Sequence, residues 1–278
     1  MNREQPIVVL GARGMLGHVV VRCLREKGWS VIESDVRWTP QNAEPEIRSL
    51  QAKRVGAVVN AMGSYLQDPD ARERDSMQWI NGRFPTILSA TLSPQTLLIH
   101  ASSDAVFGSR ASGCLWNDSF SPDTDYGHSK VVGEKGLVGP QRWVIRASLI
   151  GPDRTHASKR HLLTWASQQR GKIDGYLNQK WNGITTLSWA ELVHDILCDR
   201  LEAEAGVLQP GFLPPLSKYS LLKMAQKVLG FSYEVQPLRA PVAIERSLIP
   251  NHPAPSLEEQ LRRLRDWYPL SEIGRAHV

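Results

Sequence analysis

Cysteine is scarce: Cys23, Cys114 and Cys198 are the only three in 278 residues, far apart and with no C-x-x-C pair. This excludes a disulfide framework and a cysteine-built zinc site, and it predicts a reducing, cytoplasmic setting with no metal. Long apolar runs are missing too. None approaches the roughly 18 residues that cross a bilayer, and no signal-peptide core opens the chain, so neither a membrane span nor export is expected. Charge of one sign is equally absent. The 33 basic and 28 acidic residues leave a net +5, and they are scattered. The segment Arg262-Arg263-Leu264-Arg265 reads as a solvated helix face, so no nucleic-acid partner is expected. The mild positive excess suits an anionic ligand. With no internal repeat or low-complexity tract, what remains is an ordinary globular chain. It is long enough for one large α/β domain or two joined lobes.

What is present is organised around Ile7-Val8-Val9-Leu10-Gly11-Ala12-Arg13-Gly14-Met15-Leu16-Gly17. An apolar, β-branched run enters three glycines spaced G-x-x-G-x-x-G, and Leu16, Val19, Val20, Cys23 and Leu24 follow at helical spacing. The pattern predicts strand, tight turn and helix N-terminus. Gly11 permits the sharp turn, Gly14 lets a pyrophosphate approach the backbone, and Gly17 lets the helix pack on the strand. The free N–H groups of the helix start would face the phosphates. The turn, with Arg13, Met15 and Leu16, is therefore the expected cofactor-binding segment. Asp35 closes a second predicted strand, Val31 to Asp35, and stands where a dinucleotide fold reads its ribose. An acidic residue there favours NAD. Arg13 and Arg37 favour the 2′-phosphate of NADP, because a guanidinium forks onto phosphate. The cofactor is thus NADP or NAD, leaning to NADPH.

Further strands are expected at Val55–Asn60, Thr96–His100 and Trp143–Arg146, with a helix over Asp75–Ser93 that Pro85 kinks. Strands alternating with helices predict a doubly wound parallel sheet of Rossmann type, covered on both faces. Ligands in such sheets sit beyond the carboxyl ends of the strands. That groups the glycine turn, Asn60-Ala61-Met62 and the residues after His100 around one crevice. After residue 152 the pattern changes to helices near Leu162–Gln169, Trp189–Ala203, Tyr219–Leu229 and Leu257–Trp267, with short extended pieces between them. This predicts a first domain over 1–152, rejoined by part of 183–212, and a smaller C-terminal α/β substrate lobe over 153–271. The final Glu272–Val278 resembles a translated sequencing adapter. It is expected to be an artefact on a chain cut near Ser271, and is left out of the fold reasoning.

The chemistry lies in Ser102-Ser103-Asp104-Ala105-Val106-Phe107 and, 23 residues after Ser103, in Tyr126-Gly127-His128-Ser129-Lys130. Tyrosine and lysine at i and i+4 share one helix face. A nearby ammonium favours phenolate and lowers the tyrosine pKa from its usual value of about 10, so the phenol can exchange a proton with a carbonyl or alcohol oxygen. A serine hydroxyl can hold that oxygen, and a nicotinamide can carry the hydride.

These three motifs, in this order, resemble the extended short-chain dehydrogenase/reductase family. Ser102 to Phe107 is similar to the S-T-D-x-V-F segment of dTDP-4-dehydrorhamnose reductases, and Arg146-Ala147-Ser148-Leu149-Ile150-Gly151 to their R-T-S-W-V-Y segment. The glycine turn also resembles that of GDP-fucose synthases, whose turn arginine serves an NADP phosphate. The resemblance runs from residue 6 to about 152 and is weaker beyond. It implies Ser103 as the catalytic hydroxyl, rather than Ser102, because Ser103 stands three residues before Val106. It implies Tyr126 as acid–base and Lys130 as its tuning partner and ribose ligand. The expected activity is NAD(P)H-dependent reduction of a keto group on a nucleotide-activated deoxysugar, with a homodimer as the assembly to look for.

The sequence departs from the rhamnose enzymes at Leu149, where they carry tryptophan, and at Trp181-Asn182-Gly183-Ile184-Thr185-Thr186, which differs from their G-x-P-T. The particular sugar therefore stays open. Trp181 reads as a packing residue or a sugar- or base-stacking one. Lys159, Arg160 and His161 read as an exposed loop or as contacts to a nucleotide diphosphate. Two other uses of the scaffold remain: a non-catalytic NADP-binding regulatory subunit, like those of methionine adenosyltransferase, and an epimerase that retains its NAD.

Overall fold

Ile7–Leu10 (β1) is buried at all four positions. A strand apolar on both sides needs cover on both faces of its sheet. The structure is a computed structural model that describes residues 3–66, 68–154, 161–203 and 206–268. The chain folds into two compact units. The first comprises residues up to Gly108, Ser119–Arg146 and Ala190–Leu208; the second comprises Ser109–Asp118, Ala147–Trp189 and the residues from Gln209 on.

The first unit is built on a parallel sheet. Besides β1 it holds Val31–Glu33 (β2), Ala57–Asn60 (β3) and Leu97–Ser102 (β4). From one edge to the other the order is Val207–Leu208, Arg142–Arg146, β4, β3, β1, β2. Leu10 lies in register with Asn60, and Asn60 with His100. The strands thus end level, and the glycine turn, the Asn60-Ala61-Met62 loop and Ser103 all emerge at the same edge. This is the doubly wound arrangement the alternating pattern predicts. β2 stops at Glu33, two residues short of Asp35.

Gly17–Glu26 (α1) buries Val19, Val20, Cys23 and Leu24. Burial pushes the Cys23 thiol up to about 12, which leaves it protonated and inert. Ala43–Ala52 (α2), which the sequence reading did not anticipate, adds Ile47 and Leu50 to a core with Val8, Val58, Phe84, Leu88 and Leu98.

The helix expected over Asp75–Ser93 starts earlier, at Ala71 (α3, Ala71–Gln78), because Asp70 and Glu73 form a capping box. It runs through one π-helical turn, Trp79–Arg83, into α4 (Phe84–Thr91). The irregularity is this π turn and not a kink at Pro85. That proline sits in the first turn of α4, where a missing N–H is tolerated. Asp125–Lys135 (α5) completes the layer that bears on the site.

The second unit mixes short strands and helices. A four-stranded sheet runs Leu216–Ser217, Gln179–Trp181, Ile244–Leu248, Arg110–Cys114, and Tyr233–Leu238 pairs in parallel with Gly171–Tyr176. Its helices include α6 (Leu162–Ser167), α8 (Lys218–Leu229) and α9 (Leu257–Trp267). Between α6 and α8, α7 (Thr186–Leu197) begins in the second unit and ends in the first. α8 packs close on its strand: a Cβ at Gly175 would lie 2.8 Å from the Tyr219 Cα. Among the described residues no helix is long and apolar enough to cross a membrane.

Candidate active site

The glycine turn has the shape its composition predicts. Gly11 adopts φ +72°, and Gly14 N–H donates to the Gly11 carbonyl at 2.9 Å. A Cβ on Gly17 would stand 2.0 Å from that carbonyl oxygen, so only glycine lets α1 start there. A Cβ on Gly11 would meet the Met62 amide nitrogen at 3.0 Å, so the Asn60–Met62 loop lies directly over the first glycine. That loop is held in turn: Met62 N–H donates to Asn60 Oδ1 at 3.2 Å, and the Asn60 amide lies 3.1 Å from His100 Nδ1. His100 is buried, and its pKa is driven well below the ordinary range by that burial and by the Lys130 charge. Asn60 Oδ1 accepts from Met62, so the Asn60 Nδ2 faces His100 and donates to its Nδ1. α1 has no acidic residue in its first turn and no side-chain cap at Leu16, which leaves its leading N–H groups unclaimed by side chains. A turn bare of Cβ at its three glycines, ending in a helix start that no side chain caps, fits a dinucleotide pyrophosphate. Arg13, Asp35 and Arg37 are exposed, and Met15 is half-buried.

Tyr126 is in the first turn of α5, which Thr124 caps through its hydroxyl to Gly127 N–H at 3.0 Å. Lys130 follows one turn later, 3% exposed, with Nζ 3.1 Å from the Ala101 carbonyl and 5.9 Å from the Tyr126 ring centre. Burial lowers the Lys130 pKa to about 8, while the Glu134 charge works the other way. Tyr65 meets the Tyr126 ring edge-on at 5.1 Å. The turn that starts at Ser103 packs on the start of α5 so tightly that a Cβ at Gly127 would be 2.4 Å from the Ala105 carbonyl oxygen. Ser103 is buried. Its hydroxyl donates to Asp104 Oδ1 at 2.9 Å and accepts from Ala105 N–H at 3.2 Å.

Two features were not legible as functional in the sequence. One is Asn81, in the π turn. Its amide bonds Ser64 N–H at 2.9 Å, the Ser64 carbonyl at 2.7 Å and Ser129 Oγ at 3.0 Å, and Ser129 Oγ donates to the Tyr126 carbonyl at 2.7 Å. A Cβ at Gly63 would lie 3.5 Å from Lys130 Nζ and 3.8 Å from Asn81 Oδ1, so these three residues share one floor. The available signal was Gly82 beside Asn81 and Gly133 inside α5: a Cβ at Gly133 would meet the Asn81 carbonyl oxygen at 2.3 Å.

The other feature is the ion pair behind the site. Arg146 meets Glu134 at 2.6 and 3.1 Å with both side chains almost wholly buried. Ser102 Oγ donates to Glu134, and Phe107 and Phe120 lie against the guanidinium at 4.9 and 5.4 Å. It ties the end of β4 and the strand Arg142–Arg146 to α5, which carries Tyr126 and Lys130.

In the second unit, half-buried Trp181 packs edge-on against Phe212 at 5.6 Å. Leu149 is half-buried in a two-residue strand. His161 Nδ1 contacts the buried Asp153 carboxylate. Lys159 and Arg160 lie outside the described residues, as does the segment from 269 on.

A family model described as the RmlD substrate binding domain matches residues 5–205. A probable low-salt glycan biosynthesis reductase of Haloferax volcanii is 30% identical over 157 residues, covering 51% of this chain and 52% of that protein. A dTDP-4-dehydrorhamnose reductase of Mycolicibacterium smegmatis is 29% identical over 152 residues, covering 52% and 46%. The chain thus spans about half the length of the curated relatives it matches. Among solved structures, a dTDP-4-dehydrorhamnose reductase from Clostridium acetobutylicum superposes with TM-score 0.78 at 18% identity, covering 95% of this chain and 99% of that one. The Bacillus anthracis enzyme of that name, in complex with NADP, gives 0.78 at 16% identity over the same shares. A Thermotoga maritima UDP-glucose 4-epimerase with UDP-glucose gives 0.73 at 18%, covering 95% and 98%. At these identities the superpositions speak for the fold.

Proposed function

The chain belongs to the RmlD substrate-binding-domain family, and from that premise we propose that it is an NAD(P)H-dependent reductase of a keto group on a nucleotide-activated deoxysugar, of the dTDP-4-dehydrorhamnose reductase kind. The observation that carries the reading is the buried Lys130 ammonium, one helical turn from Tyr126 and 5.9 Å from its ring. It supplies the field a phenol needs to act as an acid near neutral pH. The names of the matched relatives support the substrate class.

The chemistry a reduced nicotinamide supplies when bound is a hydride for the carbonyl carbon. Tyr126 gives its phenolic proton to the carbonyl oxygen, which leaves as an alcohol, and Lys130 stabilises the phenolate left behind. Ser103 donates a hydrogen bond to the same oxygen, turning its hydroxyl from Asp104 to do so. Gly11, Gly14 and Gly17, with the start of α1, hold the pyrophosphate. Asn60, Ala61 and Met62 form the wall beside it. Arg13 and Arg37 meet a 2′-phosphate in place of Asp35 meeting a 2′-hydroxyl, which makes NADPH the preferred donor over NADH.

The test is loss of NADPH absorbance when dTDP-4-dehydrorhamnose is added to the protein. Turnover at the sugar keto group supports the reading. NADPH binding without oxidation across dTDP-, UDP- and GDP-linked 4-keto sugars contradicts it.

A further inference from the structure

His100 is a polar residue at the end of an apolar run. Leu97, Leu98 and Ile99 precede it on β4, and it is 1% exposed. It is in register with Asn60, itself wholly buried, so the two side chains share one face of the sheet. Two residues back on that face, Val58 and Leu98 belong to the apolar core. The Asn60–His100 pair therefore closes the core at the edge from which the glycine turn emerges.

The hydrogen bonds run one way along the pair. Met62 N–H donates to Asn60 Oδ1 at 3.2 Å, and Asn60 Nδ2 donates to His100 Nδ1 at 3.1 Å. The ring proton of neutral His100 then sits on Nε2, which is buried and has no hydrogen-bond partner among the described residues. A buried N–H without an acceptor destabilises a fold, and an apolar ring in its place would carry no such cost. What the histidine offers in return is the acceptor at Nδ1. Burial and the Lys130 charge keep the ring neutral, so that acceptor persists. The backbone it governs lies against the glycine turn: a Cβ on Gly11 would meet the Met62 amide nitrogen at 3.0 Å and the Ala61 carbonyl carbon at 3.1 Å.

We propose that His100 is a positioning residue for the cofactor: through Asn60 it fixes Ala61 and Met62 over the first glycine, and so sets dinucleotide affinity from inside the sheet. The inference rests on the reading above only in taking NADPH as the ligand of the glycine turn. Without an acceptor at Nδ1, the Asn60 amide is free to turn over. Its NH₂ would then face the Met62 N–H, donor against donor, and the loop would lose its tie.

The experiment uses the full chain, with His100→Phe, His100→Asn, Asn60→Ala and the double variant Asn60→Ala with His100→Phe. Phenylalanine keeps a ring and drops the acceptor. Asparagine drops the ring and can place its Oδ1 where Nδ1 stood. Fluorescence titration should show the NADPH Kd raised about tenfold in His100→Phe, the scale of one buried hydrogen bond, and near wild type in His100→Asn. Thermal melts without ligand should show His100→Asn below wild type, because it leaves a cavity where the ring was. Affinity thus follows the acceptor while stability follows the packing; a merely structural histidine would move both together. Asn60→Ala should raise the Kd about as much as His100→Phe, and the double variant no further, because both break one tie. Wild-type affinity in His100→Phe, a loss in His100→Asn as large as in His100→Phe, or additive losses in the double variant overturns the proposal. If His100→Phe does not fold, His100→Leu, smaller and equally without an acceptor, takes its place in the same titration. The expected pattern in a protein that reduces no sugar nucleotide keeps the positioning role and rejects the reductase reading. Turnover of dTDP-4-dehydrorhamnose together with wild-type NADPH affinity in His100→Phe does the reverse.

Discussion

Lys130 Nζ is 5.9 Å from the centre of the Tyr126 ring and 3.1 Å from the Ala101 carbonyl, inside a layer that leaves the lysine 3% exposed. The side chain is therefore both an electrostatic partner to the phenol and a buried charge.

The first prediction concerns pH. Burial lowers the Lys130 pKa from 10.5 to about 8. The folded protein releases this proton before the unfolded chain does. Between those values the unfolded state binds more protons, and stability rises with pH. Below about pH 8 the protein bears the full burden of burying the ammonium. Urea denaturation of wild type against Lys130→Met should show their difference shifting in favour of wild type from pH 8 to 10.5 and flat below 8. In the reductive direction turnover should fall as pH passes 8, because the ammonium that stabilises the phenolate is lost. A stability difference that does not move over this window would remove the buried-ammonium argument.

The second prediction separates two glycines. A Cβ at Gly14 would meet only the Gly11 carbonyl oxygen, at 3.3 Å, whereas one at Gly17 would stand 2.0 Å from it. Gly14→Ala should melt near wild type and lose NADPH affinity, read by fluorescence titration. Gly17→Ala should be destabilised outright, because the start of α1 must move off β1.

The third concerns the buried pair. Removing one charge, as in Glu134→Gln, strands Arg146 and should lower stability by about 3–5 kcal/mol in urea melts. Replacing both, Glu134→Leu with Arg146→Met, should recover most of that loss. The single variant should also weaken catalysis, because α5 carries both Tyr126 and Lys130.

What could be read from the sequence followed from periodicity. The run Ile7–Leu10, the glycines after it and the i, i+4 spacing of Tyr126 and Lys130 each carry a local pattern, and local patterns survive folding. Asn81 carries none. It reaches the floor of the site from a π turn whose Asn81 carbonyl α5 approaches closely only because Gly133 carries no Cβ, a contact between segments some 50 residues apart. The second unit was legible only as helices and extended pieces. Strands of two residues, such as Leu216–Ser217, have no alternation to detect, and Arg110–Cys114 joins a sheet whose other members come more than 60 residues later. α2 was missed because Pro45 falls inside it, at a first-turn position where proline is tolerated.

The most direct measurement is steady-state NADPH oxidation by Tyr126→Phe with dTDP-4-dehydrorhamnose, alongside calorimetric titration of NADPH. The account predicts that removing one hydroxyl lowers kcat by about 10²–10⁴-fold, the usual contribution of a positioned proton donor, while NADPH affinity and the melting temperature hold. A Tyr126→Phe protein that turns over at the wild-type rate would contradict it.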